Sequence, residues 1–142
     1  YHAHYNLGLA YQAKQDHVNA VKCFNRVLEI QPLHINTHYY LGMSLGHGFN
    51  KPLEAIDYME KGIKYGYSGA DRYVNLGVAY GMSGNFSKAL ECFTNASQED
   101  PTNPQAFVNM GITYSQLGDE QKAQAAMQKA KQVDPNIKIP GQ

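Results

Sequence analysis

The sequence predicts an all-α fold in which four helix-turn-helix units stack into a curved solenoid. Three observations predict it. An apolar residue and a glycine recur at Leu7-Gly8, Leu41-Gly42, Leu76-Gly77 and Met110-Gly111, so the glycines stand 34, 35 and 34 residues apart. A small residue and a large apolar one follow each pair: Ala20 and Phe24, Ala55 and Met59, Ala89 and Phe93, Ala123 and Met127. Within each half-unit apolar residues return every three or four positions, as Tyr73, Leu76 and Tyr80 do, which is the period of a helix with one buried face. A fixed period of this length marks a repeat array. One such unit cannot bury its apolar face alone, so neighbours must stack.

The elements follow in order. First helices of the units (helices A) are expected near 2–14, 35–47, 70–82 and 104–116, and second helices (helices B) near 17–30, 52–65, 86–98 and 120–132. Asp16, Asn85 and Asp119 precede three of the B helices as N-caps, whose side-chain oxygens accept from the first free backbone N–H groups. The second unit places Asn50 there, followed by Pro52 in the first turn, where proline's missing N–H costs little. Gly8 with Ala20, and Gly77 with Ala89, let paired helices approach while Phe24 or Phe93 fills the space between layers. Pro32, Pro101 and Pro135 stop the B helices and redirect the chain. The second unit instead leaves through Tyr65-Gly66-Tyr67-Ser68-Gly69 and contains Gly42, Gly46 and Gly48. It is expected to be the most deformable unit, or else to close by a different tight turn.

This skeleton resembles the tetratricopeptide repeat, with its Leu-Gly-x-x-Tyr, its Ala-x-x-x-Phe and its closing proline, from about residue 2 to Pro135. The resemblance implies a right-handed α-α superhelix. It implies one solenoid domain over 1–135, with repeats at about 1–34, 35–69, 70–103 and 104–135, and residues 136–142 as a tail. It further implies that helices A line a concave groove and helices B the outer face, and that the job is to hold another polypeptide.

Composition bounds the partners. Twelve acidic and twelve basic residues balance, so no net charge draws the chain to nucleic acid or to anionic membranes. No apolar run is long enough to span a bilayer, so direct membrane insertion is not expected. Two cysteines among 142 residues make no disulfide framework, which leaves the compartment open with a lean to the cytosol. Charge is also unevenly placed: across the expected A helices only Lys14, Asp71 and Arg72 are charged. An uncharged inner surface suits a neutral or apolar cargo.

Two rows of groove positions, taken from the family's pattern, are apolar in every copy: Tyr5, Tyr39, Val74 and Val108, and one turn later Leu9, Met43, Val78 and Ile112. They suit an amphipathic helix or an extended peptide with apolar anchors, or they pack on one another if the curvature is tight. Beside them run Asn6, Asn75 and Asn109, with Tyr40 interrupting the row. A side-chain amide can pair with a peptide's N–H and C=O without reading its sequence. The row resembles the asparagine ladder of the repeats in O-linked N-acetylglucosamine transferase, although asparagine before Leu-Gly is also frequent in the repeat consensus. Family members that clamp the C-terminal carboxylate of chaperones need cations that this chain lacks. In one register the clamp positions hold Tyr5, Leu9, Tyr40, Asp71 and Asn75; in the other they hold Tyr39, Met43, Asn75, Gln105 and Asn109. Chaperone binding of that kind is not expected, since nothing remains to neutralise the carboxylate.

Other constellations lead nowhere. His34 and His38 have the spacing of two metal ligands, but no carboxylate or cysteine completes a set. Cys23 and Cys92 occupy equivalent positions two copies apart, too far for a bridge, and are expected as buried inert thiols. No phosphate loop, nucleophile elbow or paired carboxylates appear, so no catalysis, metal or cofactor is expected. Gln124 stands where the earlier copies place Val21, Ile56 and Leu90, and Lys131 where they place Leu28, Ile63 and Ser97, which gives the last helix a water-facing side. The array is therefore expected to end there, with Ile137 and Ile139 folded back on that helix or lodged in a neighbour's groove. The start, without cap or turn, reads as cut from a longer chain. Three functions are consistent with this: a non-catalytic scaffold binding a peptide or helix, a self-assembling scaffold, or the recruiting arm of a larger enzyme.

Overall fold

The amphipathic stretches form eight helices in a computed structural model that describes residues 1–141. They are α1 (His2–Ala13), α2 (His17–Ile30), α3 (Ile35–Phe49), α4 (Pro52–Lys64), α5 (Arg72–Met82), α6 (Phe86–Glu99), α7 (Pro104–Gln116) and α8 (Glu120–Val133), with no strand among the described residues. The fold is all-α, built of helix-turn-helix pairs, and every boundary lies within two residues of its expected place. The helices group into two compact units, Tyr1–Arg72 and one beginning at Tyr73.

In the first unit, Gly8 lets α2 come so close that a Cβ there would stand 2.6 Å from the Phe24 ring, which is fully buried. Gly42 stands against the backbone of α4 itself, where a Cβ would meet the Ala55 carbonyl oxygen at 2.8 Å and the Met59 nitrogen at 2.9 Å. Gly48 abuts His17 of α2, and a Cβ there would overlap its ring. These glycines serve helix contact. The second unit repeats the first motif: a Cβ at Gly77 would meet the Phe93 ring at 2.5 Å, and one at Gly111 would meet the Met127 methyl at 2.7 Å.

The caps hold with one correction. Asp16, Asn85 and Asp119 accept from the backbone N–H of Asn19, Lys88 and Lys122 at 3.1, 3.2 and 3.1 Å. Asn50 does not cap α4. It ends α3 in the left-handed region (φ 50°), and Lys51 stands at the N-cap without a side-chain bond, ahead of Pro52. Asparagine tolerates the left-handed conformation better than most residues, so it serves a C-cap as readily as an N-cap. His34 and Asn103 are the caps the sequence did not disclose.

The exit of α4 is a tight turn. Gly66 takes φ +115°, its N–H donates to the Ile63 carbonyl at 3.0 Å, and the Tyr67 N–H donates to the Gly62 carbonyl at 2.8 Å. These paired bonds close a helix through a left-handed glycine. At the other end of the chain the tail folds back on its own unit. Ile139 is buried, and Ile137 packs on the Phe107, Val108 and Ala130 cluster. Gln124 and Lys131 face water as expected. Cys92 is buried and Cys23 only partly so, because the outer side of α2 is less covered there.

Candidate functional site

Helices α1, α3 and α7 contain no Asp, Glu, Lys or Arg, and α5 contains only Arg72, at its first position. That guanidinium donates to the carbonyls of Ser68 and Gly69 at 3.2 and 2.9 Å, which ties it to the preceding turn.

In the first unit, Tyr5, Leu9, Tyr40 and Met43 are half-buried, Asn6 is exposed and Tyr39 is fully buried. Tyr39 stacks on Tyr67 with ring centroids 3.9 Å apart, and Tyr67 meets Tyr40 edge-on at 5.9 Å. The turn after α4 thus supplies the ring that seals Tyr39 into the core. Burial, then a hydroxyl contact with Tyr40, pushes the Tyr67 phenol far up, so it remains a donor, reaching Asp71 at 3.3 Å. Tyr5 packs toward His34 at 4.9 Å and Tyr40 at 6.4 Å, and burial raises its phenol too, against a hydrogen bond with Asn36 that lowers it. The α1–α3 pair is cross-linked by Gln12, whose amide donates to the Tyr40 carbonyl at 3.0 Å and to the fully buried Ser44 hydroxyl at 2.9 Å.

In the second unit, Val74 is buried with Ala96 and Ala106, and Val108 with Phe107 and Ala130. Asn75, Val78, Asn109 and Ile112 are half-buried. The two apolar rows therefore differ. Tyr39, Val74 and Val108 of the first row lie in the core, with only Tyr5 partly open. All four residues of the second row, Leu9, Met43, Val78 and Ile112, keep part of their surface open to water.

Helical phase alone did not separate these rows, because both are apolar. Gln12 and Tyr67 had no sequence signal. One is a polar residue in the last turn of a helix and the other sits in an irregular exit, and their roles depend on distant partners.

Two of the six histidines have structural tasks. His38 Nε2 is 2.8 Å from the Pro32 carbonyl, with its ring against Tyr58 and Tyr65. His34 Nδ1 accepts from the Thr37 N–H at 3.3 Å and lies 2.7 Å from the Thr37 hydroxyl, capping α3. Among the described residues no three His, Cys, Asp or Glu stand together as a metal set. Burial first, then the neighbouring His2 and His38, hold His34 below its ordinary 6.5. Folding therefore disfavours its protonated form. The unfolded chain takes up the proton first, so stability is complete above the ordinary value and declines as pH falls through it toward the folded value. The melting temperature is expected to fall between pH 7.5 and 5.5, and His34→Ser, which keeps a cap without a titrating ring, should flatten part of that slope. His47, also lowered by burial and then by His17, should account for some of the remainder.

No helix among the described residues is long and apolar enough to cross a membrane. Two family models described as tetratricopeptide repeat match residues 1–33 and 82–139. Protein bimA of Emericella nidulans is 29% identical over 101 residues, covering 68% of this chain and 12% of its own length. The chain thus spans about an eighth of that curated relative. A crystal structure of MamA protein superposes with a TM-score of 0.82 at 23% identity, over 94% of this chain and 72% of that one. MamA from residue 41 to its end, from Desulfovibrio magneticus RS-1, gives 0.86 at 23% identity, over 93% and 74%. At these identities the likeness is one of fold.

Proposed function

Because the chain belongs to the tetratricopeptide repeat family, we propose that it is a non-catalytic scaffold holding a protein segment, a peptide or an amphipathic helix, against helices α1, α3, α5 and α7. One observation carries the reading: the half-exposed row of Leu9, Met43, Val78 and Ile112 lies on helices almost free of charge. A partner that covers these side chains gains on the order of 1–3 kcal/mol for each one fully buried. Asn75 and Asn109 stand beside the row with amides suited to a peptide backbone, and Asn6 and Tyr40 take the corresponding places in the first unit. Tyr5 adds an aromatic edge. Tyr39, Val74 and Val108 are buried and so are not offered to the partner.

Self-assembly by tail exchange is the weaker reading, since Ile139 would first have to leave its buried seat in its own chain. A photo-crosslinking amino acid tests the placement. At Met43 or Ile112 it is expected to give a discrete protein adduct in native lysate, whereas at Leu53, which is 73% exposed on α4, it should give none. The same adduct from Leu53, or adducts from Leu53 alone, would place binding elsewhere.

A further inference from the structure

The outer seam between the A and B helices is closed differently in each copy. The residue one turn after the small alanine of helix B, which borders this seam, is Cys23, Tyr58, Cys92 and Ala126 in turn. Tyr58 stacks toward His38 at 6.1 Å across the second copy's seam, and Cys92 is buried in the third. In the fourth, Ala126 is too small to fill the gap, and its neighbour Ala125 adds nothing. What remains is an open surface groove of about 340 Å³ between α7 and α8, lined by Phe107, Met110, Tyr114, Ala125, Ala126 and two lysines. Phe107, Met110 and Tyr114 are spaced three and four apart, so they share one face of α7, and helical phase puts Asn109 and Ile112 on the other.

Charge decides what fits. Among the described residues no acidic side chain lines the groove, whereas Lys122 and Lys129 overhang it, their ammonium groups 5.7 Å from the Tyr114 ring and 5.5 Å from the Phe107 ring. Lys122 also reaches Asp119 at 3.4 Å in an exposed pair, the kind that contributes little and exchanges readily. Both lysines are exposed, so their ammonium groups lie near the rings while still open to water and to a ligand's carboxylates.

We propose that this α7–α8 groove is a second recognition site, taking an acidic peptide segment whose aromatic or branched side chain enters over Phe107 and Met110 while flanking carboxylates meet Lys122 and Lys129. The volume accommodates one large side chain, and the two cations set the sign of its surroundings. The site is independent of the row on the opposite face of α7.

Methyl NMR of the whole chain tests it, using the peptide Asp-Glu-Phe-Leu-Glu-Asp and its basic counterpart Lys-Arg-Phe-Leu-Lys-Arg. The acidic peptide is expected to shift the methyl signals of Met110, Ala125 and Ala126 in a saturable way. Ala126→Tyr, which fills the seam as Tyr58 does, and Lys129→Glu, which reverses one of the two charges, should each weaken that binding about tenfold while far-UV circular dichroism shows both variants still folded. Equal shifts from the basic peptide, shifts centred elsewhere, or none at several millimolar would overturn the proposal. So would phosphatidylserine vesicles that reproduce the shifts when the peptide does not, since the groove would then face a membrane.

Discussion

Gly42→Ala is expected to destabilise the first unit by about 2–3 kcal/mol, although alanine is intrinsically the better helix former by about 1 kcal/mol. The added methyl would meet backbone atoms of α4, the Ala55 carbonyl oxygen and the Met59 nitrogen, and neither can move without parting the helices. The equivalent change at Gly111 meets the end of the flexible Met127 side chain. That side chain can turn away, so there the helix-propensity gain should leave the net effect within about 0.5 kcal/mol of zero. Gly8 and Gly77 fall between, because their neighbours are the rings of Phe24 and Phe93, which are buried at 0% and 2% exposure and have little room to rotate. Urea unfolding of the four variants checks the order. A loss at Gly42 as small as that at Gly111 would mean that the helices part freely at Gly42, against the close backbone approach there.

The fold was legible because its devices are local. Gly8 and Phe24, or Gly77 and Phe93, specify a close helix pair by residue size alone, and Asp16, Asn85 and Asp119 mark helix starts by chemistry that acts over three residues. Asn50 misled because asparagine serves both ends of a helix, and Pro52 downstream suited either reading. The candidate site was legible only as a phase. Which of two apolar rows is open to a partner depends on what covers each from another element, as Tyr67 covers Tyr39. Tyr67 reaches that ring from the far end of α4, so no pattern within α3 announces it. Gln12 is similar, since its two acceptors lie on α3 and become a reason for glutamine only once α1 and α3 are side by side. The α7–α8 groove was invisible for the opposite reason: it arises where a filling side chain is replaced by Ala126, and a small residue on an alanine-rich helix looks unremarkable in sequence.

The second large effect concerns binding. Val78 and Ile112 are half-buried at equivalent places on α5 and α7, so carboxylates there can remain hydrated in the free protein. Covering them with an apolar partner would desolvate two unpaired charges as well as remove two anchors. The combined loss corresponds to at least about a hundredfold in affinity. The measurement is affinity of the Val78→Asp, Ile112→Asp double variant for the polypeptide crosslinked from Ile112, with far-UV circular dichroism recorded on the same samples and Leu53→Asp as the outer-face control. Binding is expected to be lost in the double variant and kept in the control, with helicity unchanged in both. Undiminished binding by a fully helical double variant would contradict the claim that helices A hold the partner.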